Sequence, residues 1–285
     1  MIANMVKRNL RIFFRDKVAV FFSLMGVIII IGLYVLFLGE LISGYVTSVP
    51  AIGDGARFLM DSWIMGGVLA AASITTCMGA FGIMIDDKAK HIIKDFQVAP
   101  IKRSKLVLSY ILSSIIIGIV MSLFTLILAE TYIVIFGGHL ISFTSFLKTI
   151  GLIILSVSTS SAIVFFLISF VKSQNAFGTA STILGTMIGF LTGIYIPIGQ
   201  LPSAVQTVIK IFPVSHAAVL LRQVMMDEAF NLDYLPTEVK ETLGINFVVF
   251  GNTMPQWSHL LVLVASMLLF YVLAILVVSR KKAHE

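Results

Sequence analysis

The chain has 285 residues, of which 58% are apolar and 12% charged, with 20 Lys and Arg against 14 Asp and Glu and a formal net charge of +6. Soluble domains carry about 25% charged residues, and several apolar runs here exceed the roughly 18 residues that mark a membrane-crossing helix. A soluble enzyme and a disordered chain are excluded, and with Cys77 as the single cysteine so are a disulfide scaffold and a cysteine metal site.

The first apolar stretch is too long for a secretory signal, and no small-residue cleavage site follows it. Residues 1–17 place Ile2, Met5, Val6, Leu10 and Phe13 on one side of a helical wheel and Lys7, Arg8, Arg11 and Arg15 on the other. That pattern predicts a helix lying in the membrane interface, its cations toward anionic headgroups; the alternative is a plain basic flank of the first span. Spans are expected at 18–38, 63–85, 106–136, 146–171, 176–196 and 259–279. The third is longer than a bilayer needs, so it tilts, breaks or projects.

Lys and Arg are distributed unevenly about these spans. Lys7, Arg8, Arg11, Arg15 and Lys17 precede the first; Lys88, Lys90, Lys94, Lys102, Arg103 and Lys105 join the second to the third. Lys172 follows the fourth, and Arg280, Lys281 and Lys282 the sixth. The other side holds Arg57, Lys148, Lys210, Arg222 and Lys240. Positive loops stay inside, which predicts cytoplasmic termini. Charge beside spans also points to a lipid surface rather than to nucleic acid.

Two segments are unlike plain loops. In 86–105, Asp86 or Asp87 is a candidate helix cap, Ala89, Ile92, Ile93 and Phe96 recur at helical spacing, and Pro100 ends the pattern. This is either a solvated topological loop or a helix on which a cytoplasmic partner docks. Residues 197–226 are too apolar for water, yet Pro197, Pro202 and Pro213 cut them into pieces too short to span. Irregular backbone at membrane depth must be buried in protein or line a cavity, so the expectation is a re-entrant pair, about 203–212 and 215–226. The three prolines would shape an external gate. Acid-rich residues 227–258 read as an external loop.

Gly185, Gly189 and Gly193 recur every four residues in the fifth span. Such ladders let helix backbones approach closely in lipid, within one chain or between subunits. Glu130 lies in an apolar run of the third span and is either a pathway residue or a partnered carboxylate at the interface. His139, His216 and His259 stand isolated in the sequence. No HExxH, GxSxG or GxxxxGK[ST] motif occurs, so protease, esterase and intrinsic ATPase machinery are missing. No metal site is expected.

Three passages carry a family resemblance: RNLRIFFRDK; DDKAKHIIKDFQVAPIKRSKLVLSYIL; and, most specifically, GIYIPIGQLPSAVQTVIKIFPVSHAAVLLRQVM with its Leu-Pro, second Pro and Arg222. Over essentially its whole length the chain resembles an ABC-2-type transporter permease, the membrane subunit of a type V ABC exporter. The resemblance implies an all-α polytopic membrane protein, one transmembrane permease domain over 1–285, with six spans, an N-terminal interfacial helix, a cytoplasmic coupling helix and an external re-entrant pair. It also implies two permease subunits, identical or related, and two separate ABC ATPase chains that hold ATP and Mg; this chain needs no cofactor. Asp87, Lys88, Lys94, Asp95 and Phe96 correspond to the ATPase-coupling segment, which in many members begins Glu-Arg-Glu rather than Asp86-Asp87-Lys88.

The function so implied is ATP-driven export across a bacterial plasma membrane of amphipathic or lipophilic cargo: a drug, an antimicrobial peptide or a lipid. A secondary transporter or channel without an ATPase is the alternative. It would place charged groups deep in several spans, and spans 1, 5 and 6 have none. A membrane enzyme lacks any catalytic constellation.

Overall fold

A computed structural model describes residues 1–38, 55–92, 103–171, 173–249 and 251–280. Helix α1 (Ile2–Arg15) is separated from α2 (Lys17–Leu33) by Asp16, whose carboxylate accepts from the Val18 and Ala19 N–H groups at 3.1 and 3.0 Å. Those two donors would otherwise be orphaned at the start of α2. A π-helical turn, Tyr34–Leu38, continues α2. Next come α3 (Ala56–Ala89), α4 (Arg103–Ile135), α5 (Phe143–Ile168) and α6 (Gln174–Leu191). Serines start the last two: Ser142 accepts from Ser145 N–H and Ser173 from Ala176 N–H.

The chain then folds into α7 (Ser203–Ile211) and α8 (Pro213–Ala229), a pair bent by 86°. Pro202 is the N-cap of α7, and Pro213 takes the first turn of α8, where its missing N–H costs nothing. A short α9 (Thr237–Thr242) and a two-stranded ribbon, β1 (Val248–Val249) with β2 (Asn252–Thr253), precede α10 (Gln256–Arg280). Among the described residues five helices are long and apolar enough to cross a membrane: α2 with its π turn, α3, α4, α5 and α10. Helix α6 has 18 residues but dilutes its apolar content with Gln174, Asn175, Thr179, Thr182 and Thr186. The fold is that of an all-α polytopic membrane protein.

Helix α3 is the axis of the bundle. From Leu59 to Ile74 its apolar side chains are at most 2% exposed, enclosed by α2, α4, α5, α6 and α8. Its Gly66 lets α8 approach: a Cβ there would lie 2.8 Å from the backbone N of Arg222. In lipid, close packing and interhelical polar contacts replace the hydrophobic driving force. Accordingly Ser73 Oγ meets Ser156 Oγ at 2.7 Å and Ser160 Oγ at 3.1 Å, and Thr159 donates across to the Leu263 carbonyl at 3.1 Å. Helix α10 lies at the rim on α5 and α8, with Leu261, Leu268 and Ile275 exposed.

Several boundaries differ from the sequence expectation. Helix α3 begins at Ala56, not at 63, and runs on through Asp86 and Asp87 to Ala89. Neither aspartate therefore caps a new helix; both belong to the last turn of this span, which ends in a turn with His91 at φ 59°. An unbroken helix satisfies their N–H groups internally and needs no cap there. Of the expected coupling helix, Lys94, Asp95 and Phe96 lie outside the described residues. Helix α4, at 33 residues, is about 50 Å long against a hydrocarbon core of about 30 Å. Its extra length lies alongside α1.

Candidate functional site

The two ends of the bundle differ in chemistry. At the end bearing α1, the arm end, Asp87 is 3% exposed. Arg8 grips it with both amino groups, Nη1 to Oδ2 at 2.6 Å and Nη2 to Oδ1 at 2.8 Å, and the Tyr110 hydroxyl donates to Oδ2 at 2.6 Å. Hydrogen bonding to this carboxylate holds the Arg8 guanidinium above its ordinary pKa, outweighing the opposing effect of burial. Asn9 Nδ2 donates to Ser113 Oγ at 3.2 Å. Lys88 Nζ reaches the Val171 carbonyl at 3.1 Å, and Gln174 donates to Asp86. The last turn of α3 thus ties α1, α4, the exit of α5 and the start of α6 into one unit. Asp87 faces inward to α1 and α4 rather than outward.

At the opposite, hairpin end, Arg222 on α8 is wholly buried. Nη2 donates to Gly193 O at 3.2 Å, Nη1 to Gly244 O at 3.5 Å and Nε to Trp63 O at 3.4 Å, while the guanidinium carbon lies 4.5 Å from the centre of the Trp63 ring. Carbonyls and a π face hold this charge. Gly193 and Gly244 have φ of +68° and +64°, a left-handed conformation that glycine adopts freely and that presents both carbonyls to the arginine. Trp63 Nε1 donates to Leu243 O at 2.7 Å. Beside this cluster, His216 Nδ1 meets His259 Nδ1 at 2.7 Å, and His216 Nε2 faces the Lys210 carbonyl at 2.9 Å. Two of the three histidines that stood isolated in sequence, His216 and His259, are therefore a buried pair, packed against Phe247. A polar cleft of about 340 Å³ opens nearby, lined by Gln206, Lys210, Glu238, Glu241 and Asn246 among others.

The expected glycine ladder divides. Gly189 is buried against the Tyr195 ring of its own chain, and Gly193 forms the turn just described. Gly185, with nothing within 4 Å of a Cβ, keeps an open face, as does Gly178. The helix ends at Leu191 and the chain doubles back, which removes two of the three glycines from one continuous face. Pro197, Pro202 and Pro213 each open a short helical segment of the hairpin. Glu130, 8% exposed, accepts the Ile141 N–H on Oε2 at 3.1 Å and borders an apolar groove between α4 and α5.

Sequence reading passed over Asp61, which sits in α3 at 2% exposure, with Arg57 Nε 3.7 Å from Oδ2 and the Tyr132 hydroxyl donating to Oδ1 at 3.4 Å. The i,i+4 spacing of Arg57 and Asp61 was the available signal. Asn9 was also missed, although it falls between Met5 and Phe13 on the apolar stripe of α1. Among the described residues no cluster of three His, Cys, Asp or Glu could hold a metal.

In the comparison with known families, residues 55–276 match the family model of the ABC-2 family transporter protein. A comparison with curated protein sequences gives no match. A match of that extent, across α3 to α10, places this chain in the ABC-2 family of transporter membrane proteins.

Proposed function

We propose that this chain is the permease subunit of an ATP-driven exporter of amphipathic or lipophilic cargo, working as a pair of permeases with two copies of a separate ATPase. The arm end is then cytoplasmic, following the bias of Lys and Arg, and the hairpin end external. The observation that carries the reading is the outward face of α6. Asn175, Thr179, Thr182 and Thr186 form one exposed stripe, and the open Gly178 and Gly185 lie on the same helix. The threonine hydroxyls donate to carbonyls one turn earlier, at 3.1, 3.0 and 2.9 Å, and keep their acceptor lone pairs outward. A small, polar face on a bundle helix suits close approach of a second permease around a polar path better than it suits lipid.

ATP acts on the partner because the sequence has no phosphate-binding loop. Closure of the ATPase pair would push on the segment carrying Lys94, Asp95 and Phe96. The tie of Asp87 and Lys88 to α1, α4 and α5 would pass that push to the bundle. A bias of a few kcal/mol between inward- and outward-facing states suffices for such a cycle.

The test is reconstitution with a candidate ABC ATPase from the same organism. ATPase activity stimulated by lipophilic cargoes, with Phe96→Ala weakening recovery of the ATPase in pull-down, is the expected result. Cargo movement by the permease alone, driven by an ion gradient, would favour a secondary transporter instead.

A further inference from the structure

We propose that the groove between α2 and α4 binds one anionic phospholipid, an acyl chain lying along the helices and the phosphate held at Lys17. Helices α2 and α4 both lean on α3 and touch each other only sparsely. A groove of about 520 Å³ is left between them, within the range of small-molecule sites. Val20, Leu24 and Ile28 of α2 and Phe124 and Leu128 of α4 form its apolar walls, with Lys17 at one end. Phe21, also in the wall, is 53% exposed and Ile28 46%, so the groove is open along its side. The pairing face proposed above lies on α6, which leaves this side to the bilayer.

Length and charge choose the occupant. Ile28 lies eleven residues beyond Lys17 on α2, about 16 Å along the helix, close to half of a hydrocarbon core about 30 Å thick. A groove of that length, starting at a cation, matches one chain of a lipid in the leaflet on the arm side. Lys17 is exposed at the first residue of α2, where a lysine head sits at the interface while its stem covers apolar surface. Arg11 and Arg15 are exposed on the last turns of α1 and add to the positive potential there. The intervening acid, Asp16, turns its Oδ1 to the Val18 and Ala19 N–H groups at 3.1 and 3.0 Å.

Other ligands match only half of this layout. A neutral apolar molecule fills the groove but leaves Lys17 unmatched, and a free anion meets Lys17 but leaves the walls between Val20 and Ile28 bare. A zwitterionic headgroup brings its own cation toward three basic side chains. An anionic lipid satisfies both ends, bridges two helices that barely meet, and fastens the junction of α1 and α2 to the bundle. Assigning that lipid to the cytoplasmic leaflet rests on the orientation proposed above. The binding site itself does not, and the test reads binding alone.

The probe is dioleoyl phosphatidylglycerol, with dioleoyl phosphatidylcholine as the zwitterionic lipid of the same chains. Each is titrated into the delipidated full chain in detergent, with native mass spectrometry and thermal unfolding as readouts. One phosphatidylglycerol should be retained about tenfold more tightly than phosphatidylcholine and should raise the unfolding temperature. Lys17→Gln should lose that preference while its lipid-free unfolding temperature stays that of wild type, and Lys17→Arg should keep the preference. Ile28→Trp, which fills the groove, should lose the lipid. Ile29→Trp, exposed on the same helix but outside the groove, should retain it. Equal retention of the two lipids by wild type, an unchanged preference in Lys17→Gln, or equal behaviour of the two tryptophan variants overturns the proposal. So does displacement of the lipid by inorganic phosphate, since the site would then hold an anion without its chain. Failure of cargo transport with the lipid bound would count against the export reading alone.

Discussion

The guanidinium of Arg8 and the carboxylate of Asp87, 79 residues apart, form a two-pronged contact at 2.6 and 2.8 Å that fastens the N-terminal helix to the last turn of α3. Planar fork-to-fork geometry is what arginine supplies and lysine does not. With Tyr110 closing the third side, the carboxylate is fully engaged without facing solvent. Whatever moves this turn of α3 moves α1 and α4 with it.

Removing either partner should loosen the arm. Arg8→Ala leaves a buried carboxylate with Tyr110 as its remaining described donor, a loss of roughly 1.5–3 kcal/mol. Arg8→Lys should keep part of it, and Asp87→Asn should be milder than Arg8→Ala because no buried charge is stranded. Limited proteolysis at Lys7 and Arg11, with thermal unfolding in detergent, checks the order; equal behaviour of Arg8→Lys and wild type would contradict it.

The glycines separate fold from assembly. Gly66→Ala places a methyl against the Arg222 backbone, an overpacking cost of about 1–3 kcal/mol. Gly189→Leu should likewise damage the monomer, because its side chain meets Tyr195. Gly185→Leu should leave the monomer intact and weaken pairing between permeases. Thermal unfolding and cysteine cross-linking along α6 distinguish the two effects.

Hairpin accessibility should be uneven. Ser203 is exposed at the start of α7, whereas Ser215 is 1% exposed and donates to Leu191 O at 2.6 Å. In a Cys77→Ser background, Ser203→Cys should react with an impermeant thiol reagent added outside, and Ser215→Cys should resist it until the hairpin moves. Labelling of Ser203→Cys only from the cytoplasmic side would reverse the proposed orientation.

His216 and His259 set a pH test. His216 Nε2 carries the proton donated to Lys210 O, so in a neutral ring Nδ1 accepts, and His259 Nδ1 is the donor. A second proton on His216 would set two N–H groups head to head. The contact is therefore complete while the His216 ring is neutral and is lost as pH falls and that ring takes a second proton. The Lys210 ammonium is tied to Val248 O at 2.9 Å. Unfolding temperature followed from about pH 8 to about pH 5 should drop through the histidine range. His259→Phe should flatten that drop while lowering the plateau by about 1 kcal/mol.

Apolar run length, the placement of Lys and Arg, and prolines at 202 and 213 were enough to outline five of the six expected spans, the basic arm and the bent pair, because each is a local property of consecutive residues. The second expected span kept its place but not its boundaries: α3 gained Ala56 to Ser62 at one end and Asp86 to Ala89 at the other. The polar contacts were a different matter. Arg8 with Asp87, His216 with His259, and Arg222 with Gly193, Gly244 and Trp63 join segments whose spacing follows no helical period. The meaning of a glycine ladder changed once the chain turned at Gly193 and laid Tyr195 over Gly189. Periodicity tells which face of a helix avoids water or lipid; which distant atom satisfies a buried charge on that face is decided only when the helices pack.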